Sequence, residues 1–166
     1  MPDRRGGRGE PEKTAEAVDA DGWLHTGDIG ELDAEGNLRI IDRKKELIIN
    51  AAGKNMSPAL IEGHIKGAHP LIGQAVVIGD GRPYNVALLV LDPDAAAATG
   101  ASASDPAGLE QIANERLSRV EQVKSWTLLA DEWLPGGDEL TPTMKLKRKP
   151  IAEKYAEEIE ALYSRS

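Results

Sequence analysis

Two short runs of cations stand out in a chain of net charge −8: Arg39 with Arg43, Lys44 and Lys45, and, far downstream, Lys145, Lys147, Arg148 and Lys149. In an acidic protein, two local basic patches suit a small anionic ligand, whereas nucleic acid needs a broad cationic face. A third stretch ends in Thr26-Gly27-Asp28. Its carboxylate, beside a glycine turn, is a hydrogen-bond acceptor. Each feature also has a plainer reading: a solvated turn at Arg43-Lys44-Lys45, the approach to a helix at 145–149, and an ordinary turn at Thr26-Gly27-Asp28. His25, His64 and His69 are too scattered in sequence to make a metal site, and the absence of Cys excludes disulfides, thiol catalysis and thiolate-bound zinc. No metal ligand is assigned.

These residues must be positioned by a modest fold. At 166 residues the chain is one ordinary domain, or one domain with a piece attached. Aromatics are few (Trp23, Trp126, Trp133, Tyr84, Tyr155, Tyr163) and Phe is absent, so the core falls to Ala, Val, Leu and Ile. No apolar run nears the ~18 residues of a membrane helix, and no signal-peptide core is visible. The expectation is a cytoplasmic protein without a transmembrane segment.

Along the chain, 1–9 reads as a disordered lead-in and 11–18 as a short helix. Asp21-Gly22 makes a turn, and 31–42 alternates around Ala34-Glu35-Gly36-Asn37, a hairpin signal. Beyond the basic joint come a short strand at 46–50, a small-residue loop at 51–55, and a helix capped by Ser57 with Pro58 in its first turn and Ile61 and Ile65 on one face. Strands at 72–79 and 85–92 flank the turn Asp80-Gly81-Arg82-Pro83. An Ala-rich helix (93–100), a loop (101–106), an amphipathic helix (107–120), a strand (125–129) and a loop (131–143) follow. A single helix over 149–164 closes the chain, with Ile151, Tyr155, Ile159 and Leu162 on one face. Helices mixed with locally pairing strands predict an α+β fold.

Four stretches in order carry a family resemblance. Asp21-Gly22-Trp23-Leu24-His25-Thr26-Gly27-Asp28 is similar to the D-G-W-x-x-T-G-D segment of adenylate-forming enzymes: the acyl-CoA synthetases, luciferases and peptide-synthetase adenylation domains. Asp42-Arg43-Lys44-Lys45-Glu46-Leu47-Ile48 resembles their D-R-x-K-[DE]-x-I hinge element. Gly53-Lys54-Asn55-Met56-Ser57-Pro58-Ala59-Leu60-Ile61-Glu62 resembles G-x-x-x-x-P-x-x-[IL]-E, and Leu140-Thr141-Pro142-Thr143-Met144-Lys145-Leu146-Lys147-Arg148 resembles the element bearing the adenylation lysine. The details look most like the long-chain fatty acyl-CoA synthetase branch.

The resemblance implies roles. Asp28 would hold the ribose and Arg43 the ribose and phosphate side of the nucleotide, a role suited to a bidentate, permanently charged guanidinium. Lys45 would be the hinge between adenylation and thioester formation, and Gly53 would back onto the pantetheine of CoA. Lys145 would be catalytic, with Arg148 its basic follower and Lys147 held in reserve. Met144 departs from the usual Gly before that lysine.

The implied organisation is the end of a large N-terminal adenylation domain over 1–42, comprising the lead-in and a terminal hairpin, followed by a mobile C-terminal domain over 43–166 with a mixed sheet flanked by helices. ATP/AMP and CoA are the implied substrates, together with a fatty acid bound by the large domain; Mg2+ is implied for the full-length enzyme, its ligand lying outside this chain. The expected function is therefore that of a C-terminal fragment of a long-chain fatty acid–CoA ligase, inactive alone. The alternative is a stand-alone module that docks a separate adenylation domain or binds CoA or nucleotide.

Overall fold

The computed structural model describes residues 17–99, 114–115 and 117–164. The expected lead-in, the loop at 101–106 and most of the helices at 11–18 and 107–120 lie outside the described residues. Two compact units divide between Lys45 and Glu46.

In the first unit, β1 (Asp28–Leu32) and β2 (Leu38–Arg43) form the expected antiparallel hairpin. Asp33 organises its turn, accepting the backbone N–H of Glu35 at 3.1 Å, that of Asn37 at 2.7 Å and the Asn37 side-chain amide at 2.9 Å. Gly36 completes the turn at φ 85°, where a Cβ is unfavourable. At the bulge between Ile29 and Gly30, a side chain on residue 30 would meet Leu38 Cδ1 at 2.8 Å and the Arg39 carbonyl at 3.2 Å, so close strand approach demands glycine there. Trp23, Leu24, Leu32, Leu38 and Ile40 are exposed, because a two-stranded ribbon by itself offers no second layer to cover them.

The second unit opens with two short antiparallel strands, β3 (Ile48–Ile49) and β4 (Asn55–Met56). Helix α1 (Pro58–Ala68) begins as expected: Ser57 Oγ accepts the Leu60 N–H at 3.2 Å, and Pro58 sits where its missing N–H has no helical partner to lose. A mixed sheet follows in the order β5 (Ile72–Ile78), β6 (Asn85–Leu91), β7 (Val123–Leu129), the first pair antiparallel and the second parallel. Asp92 accepts the Ala95 N–H at 2.9 Å at the start of α2 (Pro93–Thr99), the Ala-rich helix.

Alternation along β6 feeds two cores. Ala87 and Leu89 pack with Ile61 and Ile65 of α1, together with Met56, Val77 and Val123. Val86, Leu88 and Val90 face Leu140 and the closing helices. A strand buried on both faces reads as a continuous apolar run, which is why Val86-Ala87-Leu88-Leu89-Val90 shows no polar alternation.

The closing segment corrects one expectation. It forms two helices, α3 (Arg148–Lys154) and α4 (Ala156–Ser164), broken at Tyr155 with φ −104° and ψ 30°. The Tyr155 hydroxyl donates to Asp131 at 2.7 Å and accepts the Trp133 indole N–H at 3.0 Å, which fixes the buried ring at the bend. Ile151, Tyr155, Ile159 and Leu162 are all buried, so the expected apolar face survives the break. The architecture is α+β, and no helix among the described residues is long and apolar enough to cross a membrane.

Candidate functional site

The first unit brings Asp28 and Arg43 together. They are cross-strand partners at the open end of the hairpin, so their side chains share a face. Arg43 Nε stands 3.6 Å from Asp28 Oδ1, with the side chains 70% and 33% exposed. The approach is shaped locally: Gly27 takes φ 75°, its carbonyl accepts the Lys44 N–H at 2.7 Å, and Thr26 Oγ1 accepts the Asp28 N–H at 3.2 Å. One turn upstream, Asp19 accepts the N–H groups of Asp21 and Trp23 and pairs with His25 at 3.1 Å. These bonds, that from Trp23 foremost, hold its carboxyl below the usual range. Lys45 is exposed within a 3₁₀ turn, Lys44–Glu46.

In the second unit, Lys145 stands on a tight loop held by its backbone. Its N–H donates to Thr141 Oγ1 at 3.0 Å, its carbonyl accepts the Thr141 N–H at 2.8 Å, and the Met144 N–H reaches the Thr141 carbonyl at 2.9 Å. Closing so small a loop drives residue 144 into the left-handed region: Met144 has φ 64°, the one such residue besides glycine among those described. The departure noted in the sequence therefore falls on a position whose backbone favours glycine.

The loop's neighbours separate the two lysines. Lys147 turns inward and donates its ammonium to the Gly137 carbonyl at 2.8 Å, while its N–H donates to the Glu139 carbonyl at 2.8 Å. Lys145 is exposed. Beside the loop lies an open cavity of about 500 Å³ lined in part by Glu139, Lys147 and Lys154. Lys154 donates to buried Glu139 at 2.5 Å, and this bond raises its pKa above the ordinary lysine value.

Arg148, three residues past Lys145, reaches across the unit. Its guanidinium grips Glu62 of α1 with both prongs, at 2.6 and 2.8 Å, and Glu62 Oε1 also accepts the Val77 N–H at 2.9 Å. Sequence reading left Glu62 without a role, although it is the last residue of the stretch that starts at Gly53. Its only signal was that fixed position in the motif.

Gly53 sits elsewhere in the second unit, on the β3–β4 turn at φ 75° with open space where a Cβ would stand. Asn50 Oδ1 ties this turn by accepting the N–H groups of Ala52 and Lys54, and the Ala51 N–H joins it to the Arg82 carbonyl at 2.9 Å. Among the described residues no cluster of three His, Asp or Glu side chains could hold a metal ion.

Comparison with known proteins gives a consistent result. A model of the AMP-binding enzyme C-terminal domain matches residues 45–166. The putative fatty-acid–CoA ligase fadD11 of Mycobacterium tuberculosis is 55% identical over 176 residues, covering 96% of this chain and 31% of that protein. The long-chain-fatty-acid–CoA ligase FadD15 of the same species is 42% identical, covering 93% and 28%. Among solved structures, the AMP-bound A-PCP didomain of the Segniliparus rugosus carboxylic acid reductase superposes with a TM-score of 0.77 at 27% identity, over 95% of this chain and 23% of that one. The AMP complex of the Bacillus subtilis o-succinylbenzoate coenzyme A synthetase gives 0.63 at 30% identity, covering 85% and 26%. The chain thus spans less than a third of the length of the relatives it matches.

Proposed function

The chain belongs to the AMP-binding enzyme C-terminal domain family, and from that premise we propose that it is the mobile C-terminal portion of a long-chain fatty acid–CoA ligase. Such a ligase joins a fatty acid to the α-phosphate of ATP, releasing pyrophosphate, and then passes the acyl group to CoA, releasing AMP. The observation that carries the reading is the presentation of Lys145, exposed on a loop braced through its backbone, while Lys147 is consumed by an internal carbonyl.

In the first half-reaction a fatty-acid carboxylate attacks the α-phosphorus, and negative charge crowds between them. The Lys145 ammonium offsets that charge without exchanging a proton. Asp28 accepts the ribose hydroxyls and Arg43 donates toward the ribose and phosphate side, both from the end of one hairpin. The second half-reaction needs the domain turned about Lys45, which places the Gly53 turn beside the pantetheine arm so that the CoA thiol can attack the acyl carbonyl. The division of the chain between Lys45 and Glu46 supports a pivot at this point. The phosphate loop, the adenine and acyl pockets and the Mg2+ site belong to an N-terminal domain like that of the longer relatives. Without those groups the 166 residues form no acyl-adenylate, because transition-state stabilisation needs the whole constellation.

In a full-length ligase carrying this chain, Lys145→Ala should lower the adenylation rate by roughly 10²–10³-fold. Thioester formation from supplied acyl-adenylate should change by less than about 3-fold, the contrast expected when one ammonium serves one transition state. Pyrophosphate exchange and single-turnover thioester assays separate the two. A larger adenylation loss in Lys147→Ala than in Lys145→Ala would reverse the assignment.

A further inference from the structure

The bonds around Lys145 do two different jobs. Those to Thr141 shape the loop but join it only to itself. Leu140 and Ile151 seat its two ends in the apolar core, and such contacts are not directional. Helix α3 begins at Arg148 without a side-chain cap on its first turn, and the local bonds at that end, from the Lys147 ammonium and N–H to the Gly137 and Glu139 carbonyls, tie the loop to the segment just before it. The directional link from this end to the sheet and α1 comes from Glu62, 86 residues from Arg148 in sequence.

Glu62 is well placed to act as a fixed post. Its side chain is 7% exposed, its Oε1 is tied to the β5 backbone through the Val77 N–H, and both oxygens receive the Arg148 fork. Bidentate geometry sets orientation as well as distance. The chain of contacts runs from sheet to carboxylate to guanidinium, and then over three residues of backbone to Lys145. The Val77 bond also holds α1, so the helix that follows the Gly53 turn and the loop that carries Lys145 share one anchor.

We infer that Glu62 is a positioning residue for adenylation, acting through Arg148 to hold Lys145 where charge develops. This rests on the assignment of Lys145 above. Glu62→Gln keeps an oxygen for Val77 but offers an N–H donor to one prong of the Arg148 fork, which loosens the link without emptying the site.

The test uses the full-length ligase. Glu62→Gln should lower the adenylation kcat by roughly 10–100-fold, the loss a displacement of about 1 Å can cause, with KM for ATP and fatty acid kept within about 3-fold. Thioester formation from supplied acyl-adenylate should also stay within about 3-fold, since the interaction lost belongs to the other transition state. Because Glu62 acts through Lys145, the double variant Lys145→Ala/Glu62→Gln should be no slower than Lys145→Ala alone. Full additivity, or equal loss in both half-reactions, would make Glu62 a general support and overturn the inference. If Lys145→Ala adenylates normally, the underlying assignment fails instead. If Glu62→Gln does not fold, Arg148→Lys, which keeps the cation but loses the fork, gives the same readouts.

Discussion

Each of the two basic runs contributes an arginine to an arginine–carboxylate pair, and the two pairs are built in opposite ways. Arg43 and Asp28 approach to 3.6 Å at an exposed hairpin end, the guanidinium 70% open to solvent. Arg148 and Glu62 make two charge-assisted bonds, with the carboxylate 7% exposed. An exposed pair contributes about 0–1 kcal/mol and can trade its partner for a ligand at little cost. A buried pair cannot, because separating it strands a charge away from water. The first pair therefore suits contact with a nucleotide, and the second suits a strut that fixes what stands nearby. The motif match gave a ligand role to Arg43 and named Arg148 only as the basic follower of Lys145.

The largest expected effect follows from that contrast. Arg148→Leu should destabilise the second unit by about 3–5 kcal/mol, since it leaves Glu62 buried and unpaired. Arg43→Leu should cost under about 1 kcal/mol of stability while weakening nucleotide binding in the full-length ligase. Urea denaturation of both variants checks the first half of the comparison and AMP titration the second. Equal stability losses would erase the distinction.

A smaller effect is expected in the Lys145 loop itself. Met144→Gly relieves a left-handed backbone but adds freedom to the unfolded chain, so a net gain of roughly 0.5–1 kcal/mol is expected. Thermal unfolding measures it, and a loss of stability would mean that the exposed methionine side chain contributes more than its backbone strain costs.

The smallest effects are in pH dependence, where the two units should fail at opposite ends. Asp33 in the hairpin turn has its carboxyl held low, chiefly by the Asn37 side chain. A depressed folded-state pKa contributes stability above the unfolded value of about 3.8 that fades as pH falls through the folded value. Tyr163 in α4 is pushed up to about 12 by burial, so its contribution is complete below about 10 and is lost as pH rises toward 12. Asp33→Asn should flatten the acid limb for the hairpin, and Tyr163→Phe the alkaline limb for the second unit. Amide exchange followed against pH distinguishes the two regions.

Much of the fold was legible because its signals are local. The Ala34-Glu35-Gly36-Asn37 turn, the Ser57-Pro58 helix start, the runs that became β5 and β6, and the apolar face of the closing segment all depend on residues within a turn or two of one another. The parallel pairing of β7 with β6 was not legible, because its partners lie across a long connection and β7 starts at Val123, two residues before the apolar run suggested. Nor was the break at Tyr155, which depends on Asp131 and Trp133 meeting its hydroxyl.

The candidate site divides in the same way. The family resemblance, carried by short motifs, singled out Asp28, Arg43, Lys45, Gly53 and Lys145, because a motif is a local arrangement of chemistry. Only the tertiary structure decided that Asp28 and Arg43 face each other, that Lys147 is spent on the Gly137 carbonyl, and that Glu62 holds Arg148. A charged side chain leaves no periodicity that names its partner, so whether it binds a ligand or braces the fold is settled by burial and distance.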